Sequence, residues 1–272
     1  MSYEHFKYTL QDNVAHVVID RPEKVNSLNE KGWEELKAIF ELIDREPEAR
    51  VAVLSGKGKL FCAGIDLQML MSVKNVEQIE CAGRRSEKIL QFILQLQGCV
   101  NAIERCSKPV IAAVHGGCIG GGVDIIAACD LRYCSADAYF TIKEIDMGMV
   151  ADLGTLQRLP KFVKPAAVAE MAYTGRNVGA AEAKEIGLVN DHYADRATLM
   201  IEVNRLAGTI ASKSPISIRG TKQILLHTRD HSVVEGLNHM ALWNSAMLLS
   251  DDLTQAFMAS MTKKTPTFKD YI

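Results

Sequence analysis

The sequence predicts an α/β protein whose parallel-stranded core is followed by a helical C-terminal third. Three observations carry that reading. Short β-branched runs alternate with amphipathic stretches up to about residue 155. Two of the strand-to-helix junctions carry glycine-bearing segments, and beyond residue 155 helical periodicity runs almost without a break. A chain of 272 residues can bury a large core, and neither a Ser/Gly-rich linker nor an internal repeat divides it. The division expected is a core over residues 1–200 that carries the site and a helical region over 201–272. Helices that end a chain in this way often pack on a neighbouring subunit.

Residues 8–10 and 14–19 alternate as half-buried strands on either side of Gln-Asp-Asn, a hairpin signal. Arg21-Pro22 ends the second strand, because proline has no N–H for the ladder. After Asn26-Ser-Leu-Asn29, the spacing of Trp33, Leu36, Phe40 and Ile43 is that of one helix face. Residues 51–54, bounded by Ser55-Gly56, read as a buried strand. Residues 70–105 read mostly as helix, with Ile93, Leu96, Val100 and Ile103 on its apolar face and Gly98 weakening it. Lys108-Pro109 breaks that helix ahead of another buried strand at 110–114. Residues 124–129 read as helix, and 131–134 and 138–142 as strands. Further helices are expected at 199–210, 216–226, 232–249 and 252–261, with 171–175 and 187–189 as non-helical exceptions.

Composition narrows the function. A net charge of −2 gives no electrostatic case for nucleic acid or an anionic membrane as main partner. The seven cysteines form no CxxC pair, are odd in number and have no zinc-site spacing, so they read as reduced residues of an intracellular protein, mostly in its core. No metal site is expected. The first fourteen residues lack a basic-then-apolar leader layout, no apolar run approaches membrane-span length, and Thr267–Ile272 does not end in Ser-Lys-Leu. Cytoplasm is the expected compartment.

The chemistry concentrates between Gly116 and Asp152. Five of the first seven residues of this stretch are glycine, and Asp124, Glu144 and Asp152 follow in otherwise apolar sequence. Phe61-Cys-Ala-Gly-Ile-Asp66 and Gly120-Gly-Gly-Val-Asp124 each follow a predicted strand and lead into a helix. N–H groups at helix starts are unpaired and sit at the positive end of the dipole, so two of them converging would bind an oxyanion. Each segment is also compatible with a plain tight turn, and the order of glycines does not match the dinucleotide fingerprint. Singly, Asp124 fits a first-turn helix acid, Glu144 a partner of Lys143 or a solvated side chain, and Asp152 an N-cap for a helix from Leu153.

Together, the motifs resemble the crotonase family, also called the enoyl-CoA hydratase/isomerase superfamily. The resemblance runs through Ile19-Asp-Arg-Pro22, Asn26-Ser-Leu28, Phe61–Asp66, Lys108–His115, Gly120–Asp124, Gly175 and Ala180–Val189. It implies a crotonase-type spiral of ββα turns, a homotrimer or homohexamer assembled through the C-terminal helices, and an acyl-CoA thioester substrate. Coenzyme A is then part of the substrate, and no cofactor is implied. The family's oxyanion-hole positions fall on the N–H groups of Ile65 and Gly121, and the substrate-binding positions on Ala63, Gly64, Ile65, Asp66, Leu67 and Gly121.

Hydratases of the family carry glutamate at the positions of Asp124 and Glu144, and tend to have glycine at that of Asp152. The trio Asp124, Glu144 and Asp152 looks instead like the Δ3,5-Δ2,4-dienoyl-CoA isomerases of fatty-acid β-oxidation, as does the wording Val150-Ala-Asp-Leu-Gly-Thr-Leu-Gln-Arg-Leu-Pro160. The family layout makes Glu144 the base at C2, Asp152 the acid at C6, and Asp124 a supporting acid hydrogen-bonded near Glu144. Two rival readings stand beside this one. An enoyl-CoA hydratase is supported by the two acids at the hydratase positions. A crotonase-fold RNA-binding or scaffold protein finds little support, since no Lys/Arg stripe with interleaved aromatics stands out.

Overall fold

The computed structural model describes residues 3–270; Tyr271 and Ile272, at the end of the predicted C-terminal reading, lie outside them. The chain opens on the expected hairpin, β1 (Phe6–Gln11) and β2 (Val14–Ile19). Its two loop residues, Asp12 and Asn13, both have positive φ (51° and 63°), which suits the right-handed twist of the flanking strands. Asn26, also left-handed at φ 58°, ties down the loop beyond. Its Nδ2 donates to the carbonyls of Lys57, Leu60 and Phe61, and its Oδ1 accepts the Arg21 N–H. Asn29 then caps α1 (Glu30–Arg45) by accepting the Gly32 N–H at 3.0 Å. Trp33, Leu36, Phe40 and Ile43 are all buried, as their spacing requires.

From β3 (Val51–Gly56) onward one pattern recurs: a strand in the main sheet, a short strand or bridge in a second layer, then a helix. After β3 comes Cys62, whose backbone forms a single parallel β-bridge with that of Cys118, and then α2 (Leu67–Ser72). Beyond α3 (Ala82–Arg105), β4 (Val110–Val114) leads to β5 (Gly117–Ile119) and α4 (Gly121–Ala127). β6 (Leu131–Ser135) leads to β7 (Tyr139–Thr141), α5 (Thr155–Arg158) and α6 (Pro165–Thr174). β8 (Val178–Gly179), α7 (Ala180–Glu185) and β9 (Asp191–Tyr193) complete the series. The main sheet runs β1-β2-β3-β4-β6-β9, with β1–β2 antiparallel and the other pairs parallel. The smaller sheet runs β5-β7-β8. This is the spiral of ββα turns.

The central strands β3 and β4 are buried on both faces, so they read as continuous apolar runs. Ala52 and Leu54 of β3 join Val110, Ala112 and Val114 of β4 in the large core that α1 and α3 cover. Val51, Val53, Ile111 and Ala113 point the other way, onto Leu199, Val203, Ala207 and Ala211 of α8 (Arg196–Ala211). α9 (Pro215–Arg229), α10 (Val233–Met247) and α11 (Asp251–Met261) follow. Lys222 anchors α9: its buried Nζ donates to Asp130 at 2.7 Å and to the Lys108 carbonyl at 3.0 Å.

Three local expectations change. Residues 171–174 are helical, because α6 starts on Pro165 and runs until Gly175, at φ 60°, returns its N–H to Met171. The helix expected over 70–105 is interrupted at Ile79 and Cys81, whose ψ angles of 113° and 115° are extended. The helix expected over 124–129 starts three residues earlier, at Gly121, and stops at Ala127. Six cysteines are buried and free, and Cys81 is exposed.

Candidate active site

The two glycine-bearing segments lie side by side. Cys62 donates to the Gly117 carbonyl at 3.2 Å and accepts from Ile119 at 3.0 Å. Two residues on, Leu28 donates to Gly64 at 2.8 Å and accepts from Asp66 at 2.9 Å, which skips Ile65 and leaves its N–H turned away from that bridge. The Gly121 N–H opens α4, so helix geometry gives it no partner. Among the described residues, neither N–H is donated to a protein acceptor.

Two glycines make this approach possible. Gly64 sits at φ 83°, and a Cβ there would stand 2.8 Å from both the Gly121 nitrogen and the Ile119 carbonyl. Gly120 sits at φ 53°, and a Cβ on it would stand 3.2 Å from Glu144 Oε1. The Glu144 carboxylate therefore lies against the start of α4. Trp33, buried in α1, supports the same turn from below: its Cη2 is 3.1 Å from where a Gly121 Cβ would be.

The acids cluster around this turn. Asp124 is in the first turn of α4, 1% exposed, and accepts the Thr155 N–H at 2.7 Å. Its hydrogen bond thus goes to Thr155, and charge is what couples it to Glu144. Burial, reinforced by the Asp152 charge, pushes Asp124 up to about 6 against the pull of Thr155 and Arg158. Glu144 opens the single turn Glu144–Met147 after β7; its Oε2 is buried without a hydrogen-bond partner. Burial first, then Asp124 and Asp152, raise it to about 7. Asp152 is exposed, its main-chain oxygen accepts from Gln97 at 2.7 Å, and partial desolvation raises its side chain.

The single-residue alternatives for these acids resolve in the same geometry. Lys143 pairs with Asp146, not with Glu144. Gly154, not Asp152, is the N-cap of α5. Asp66 is spent on structure: it caps α2 by accepting the Gln68 N–H at 2.9 Å and pairs with Arg21 at 2.8 Å. Ala63 donates to the Val25 carbonyl, and Leu67 is exposed at the start of α2. Trp33, Thr155 and Arg158 are site residues that sequence reasoning missed. Trp33 was visible only as a member of the α1 apolar stripe.

A pair of free N–H donors beside a carboxylate that is half-ionised near neutrality can stabilise an enolate oxygen while a proton leaves the adjacent carbon. Residues 9–271 match the enoyl-CoA hydratase/isomerase family, to which the chain belongs. It is 46% identical over 266 residues to the peroxisomal Δ(3,5)-Δ(2,4)-dienoyl-CoA isomerase of Arabidopsis thaliana, covering 97% of this chain and 96% of that one. The mitochondrial Δ(3,5)-Δ(2,4)-dienoyl-CoA isomerase of Homo sapiens is 45% identical over 265 residues, covering 97% and 81%. The crystal structure of an enoyl-CoA hydratase from Bacillus anthracis superimposes with a TM-score of 0.88 at 28% identity, covering 98% and 99%. Among the described residues no helix is long and apolar enough to cross a membrane.

Proposed function

We propose that the protein is a Δ3,5-Δ2,4-dienoyl-CoA isomerase, acting on a 3,5-dienoyl thioester of coenzyme A. The observation that carries this reading is the third acid, Asp152, electrostatically coupled to the Asp124–Glu144 pair beside the two free N–H groups. The similarity to two dienoyl-CoA isomerases supports it.

Removing a proton from C2 of such a thioester gives a trienolate, with charge on the thioester oxygen, C2, C4 and C6. Glu144 is the base: it takes the C2 proton as the C2–H electron pair moves into the conjugated system. The N–H groups of Ile65 and Gly121 hold the oxygen where charge develops, and losing such a donor typically costs on the order of 10²–10³ in rate. Asp152 is the acid and delivers a proton to C6, completing the shift of both double bonds. Asp124 supports Glu144 by holding its affinity for protons near the working pH. The Ala63–Leu67 segment and Gly121 are the substrate-binding positions. One proton leaves and one arrives, so the reaction is redox-neutral and calls for no cofactor beyond the coenzyme A of the substrate.

A single ultraviolet assay tests the reading. Isomerisation creates the conjugated 2,4-dienoyl chromophore, whereas hydration of a 2-enoyl-CoA destroys one. The expected outcome is a rising signal with 3,5-dienoyl-CoA. Hydration of 2-enoyl-CoA without any turnover of the dienoyl substrate would replace the isomerase reading by the hydratase one.

Residues 201–272 are the assembly region in this reading, for a homotrimer or homohexamer. Exposed Val234, Leu237, Leu242 and Phe257 on α10 and α11 support it. Sedimentation velocity tests it, and a monomer at micromolar concentration would overturn it. Cytoplasm is the compartment proposed, supported by the free cysteines. The plant and human relatives are named peroxisomal and mitochondrial, so cell fractionation decides.

A further inference from the structure

Gln97, Asn101 and Glu104 recur at i, i+4 and i+7 along α3 and so form one stripe of that helix. All three reach the segment 152–158. Gln97 Nε2 donates to the Asp152 carbonyl at 2.7 Å. Asn101 Oδ1 accepts from Arg158 Nη2 at 2.5 Å. Glu104 accepts from Arg158 Nε at 3.1 Å and Nη2 at 3.2 Å, a two-pronged fork. Arg158 is 7% exposed and donates through Nη1 to the Leu153 carbonyl at 3.3 Å. It packs so closely under Gly154 that a Cβ there would stand 1.8 Å from Nη1. From the other side, Arg229 of α9 donates to Glu104 at 2.5 Å.

Apart from the Arg229–Glu104 bond, each of these bonds ends on the segment that carries Asp152 and supplies the Thr155 N–H to Asp124. We propose that the α3 stripe Gln97-Asn101-Glu104, acting with Arg158, is the positioning frame that holds Asp152 and Asp124 at their working places relative to Glu144. Arg229 extends this frame to the C-terminal helices. The inference rests on the isomerase reading and deepens it by naming what fixes the two ends of the proton transfer. A displacement of about 1 Å at a reacting group can cost on the order of a hundredfold in rate, so the frame acts on turnover rather than on binding. The guanidinium also matters as a charge: of the charged groups around Asp124, which are Glu144, Asp152 and Arg158, it alone favours the ionised form of Asp124.

Three variants of the full chain test this, assayed with 3,5-dienoyl-CoA for kcat, KM and the acid limb of kcat/KM. Gln97→Met removes the bond to the Asp152 carbonyl from a partly exposed position and leaves the core untouched. We expect kcat to fall about tenfold, with KM within about twofold. Arg158→Met removes both fork and charge; kcat falls about a hundredfold, and because Asp124 then stays protonated to higher pH and repels Glu144 less, the acid limb moves to lower pH. Arg158→Lys keeps the charge without the fork, so the limb returns to the wild-type pH while kcat stays depressed. Wild-type kcat in both Gln97→Met and Arg158→Lys overturns the proposal. Asp152→Asn is run alongside. If it retains full isomerisation, the underlying reading fails; if it is inactive while the frame variants match wild type, the frame alone fails.

Discussion

Asp124→Asn separates the two physical causes that set the working pH of the cluster. Glu144 stands at about 7, well above its ordinary 4.5, and burial is the larger cause, with the Asp124 charge next. Asparagine is nearly isosteric, and its side-chain oxygen can still accept the Thr155 N–H that now lies 2.7 Å from Asp124 Oδ1. The fold should hold while one negative charge disappears. As a base, Glu144 must be ionised, so kcat/KM in the wild type rises with pH through about 7. In Asp124→Asn that limb should move acidward and settle between 4.5 and 7, because burial remains when the repulsion is gone. The limb belongs to the coupled cluster rather than to one residue, so the comparison of variant with wild type is what counts.

The same substitution has a thermodynamic signature. Asp124 goes from 3.8 to about 6 on folding, so the folded state binds its proton more tightly than the unfolded state does. Native stability from this group is therefore full below pH 3.8 and is lost as pH rises through about 6. Removing the ionisable group should stabilise the folded chain at pH 7.5 by up to about 3 kcal/mol relative to its effect at pH 3.5, measured by urea unfolding. An acid limb that stays at about 7 or moves to higher pH, together with a pH-independent stability difference, would refute the reasoning.

Two further outcomes follow from the packing beneath the donor pair. Gly64→Ala forces a Cβ to within 2.8 Å of the Gly121 nitrogen and the Ile119 carbonyl at a φ of 83°. The two N–H groups must then separate, and kcat should fall by about 10² with a smaller change in KM; unchanged kcat would remove Gly64 from the account. Trp33→Ala empties the volume under Gly121 and should destabilise the fold by about 3–5 kcal/mol in urea. A loss below about 1 kcal/mol would mean that Trp33 supports nothing.

Much of the fold was legible because its signals are local. Gln-Asp-Asn announced the first hairpin, and the stripe from Trp33 to Ile43 announced α1. The two-face burial of β3 and β4 follows from their unbroken apolar runs. Of the smaller sheet only β7 was legible; β5 is Gly-Cys-Ile, which reads as part of a glycine turn, and β8 is two residues long, while β9 at the edge of the main sheet is polar Asp-His-Tyr. Such strands exist because neighbours complete them. The carboxylates could be picked out in sequence as acids among apolar residues. Their coupling, the orphaned Glu144 oxygen and the Thr155 donor to Asp124 depend on residues brought together across 8 to 31 positions of chain, which no local pattern encodes. Arg158 and the polar stripe of α3 resemble ordinary solvated side chains until the segment 152–158 folds over them.

The division of labour between Glu144 and Asp152 is tested most directly in deuterium oxide, following 3,5-dienoyl-CoA by NMR with wild type and with Asp152→Asn. The wild-type enzyme should convert the substrate to the 2,4-dienoyl product with deuterium at C6. Asp152→Asn should still exchange hydrogen at C2, through Glu144 and the two N–H donors, while forming the product at least about a hundredfold more slowly. Product formation at the wild-type rate in a folded Asp152→Asn enzyme would contradict the account.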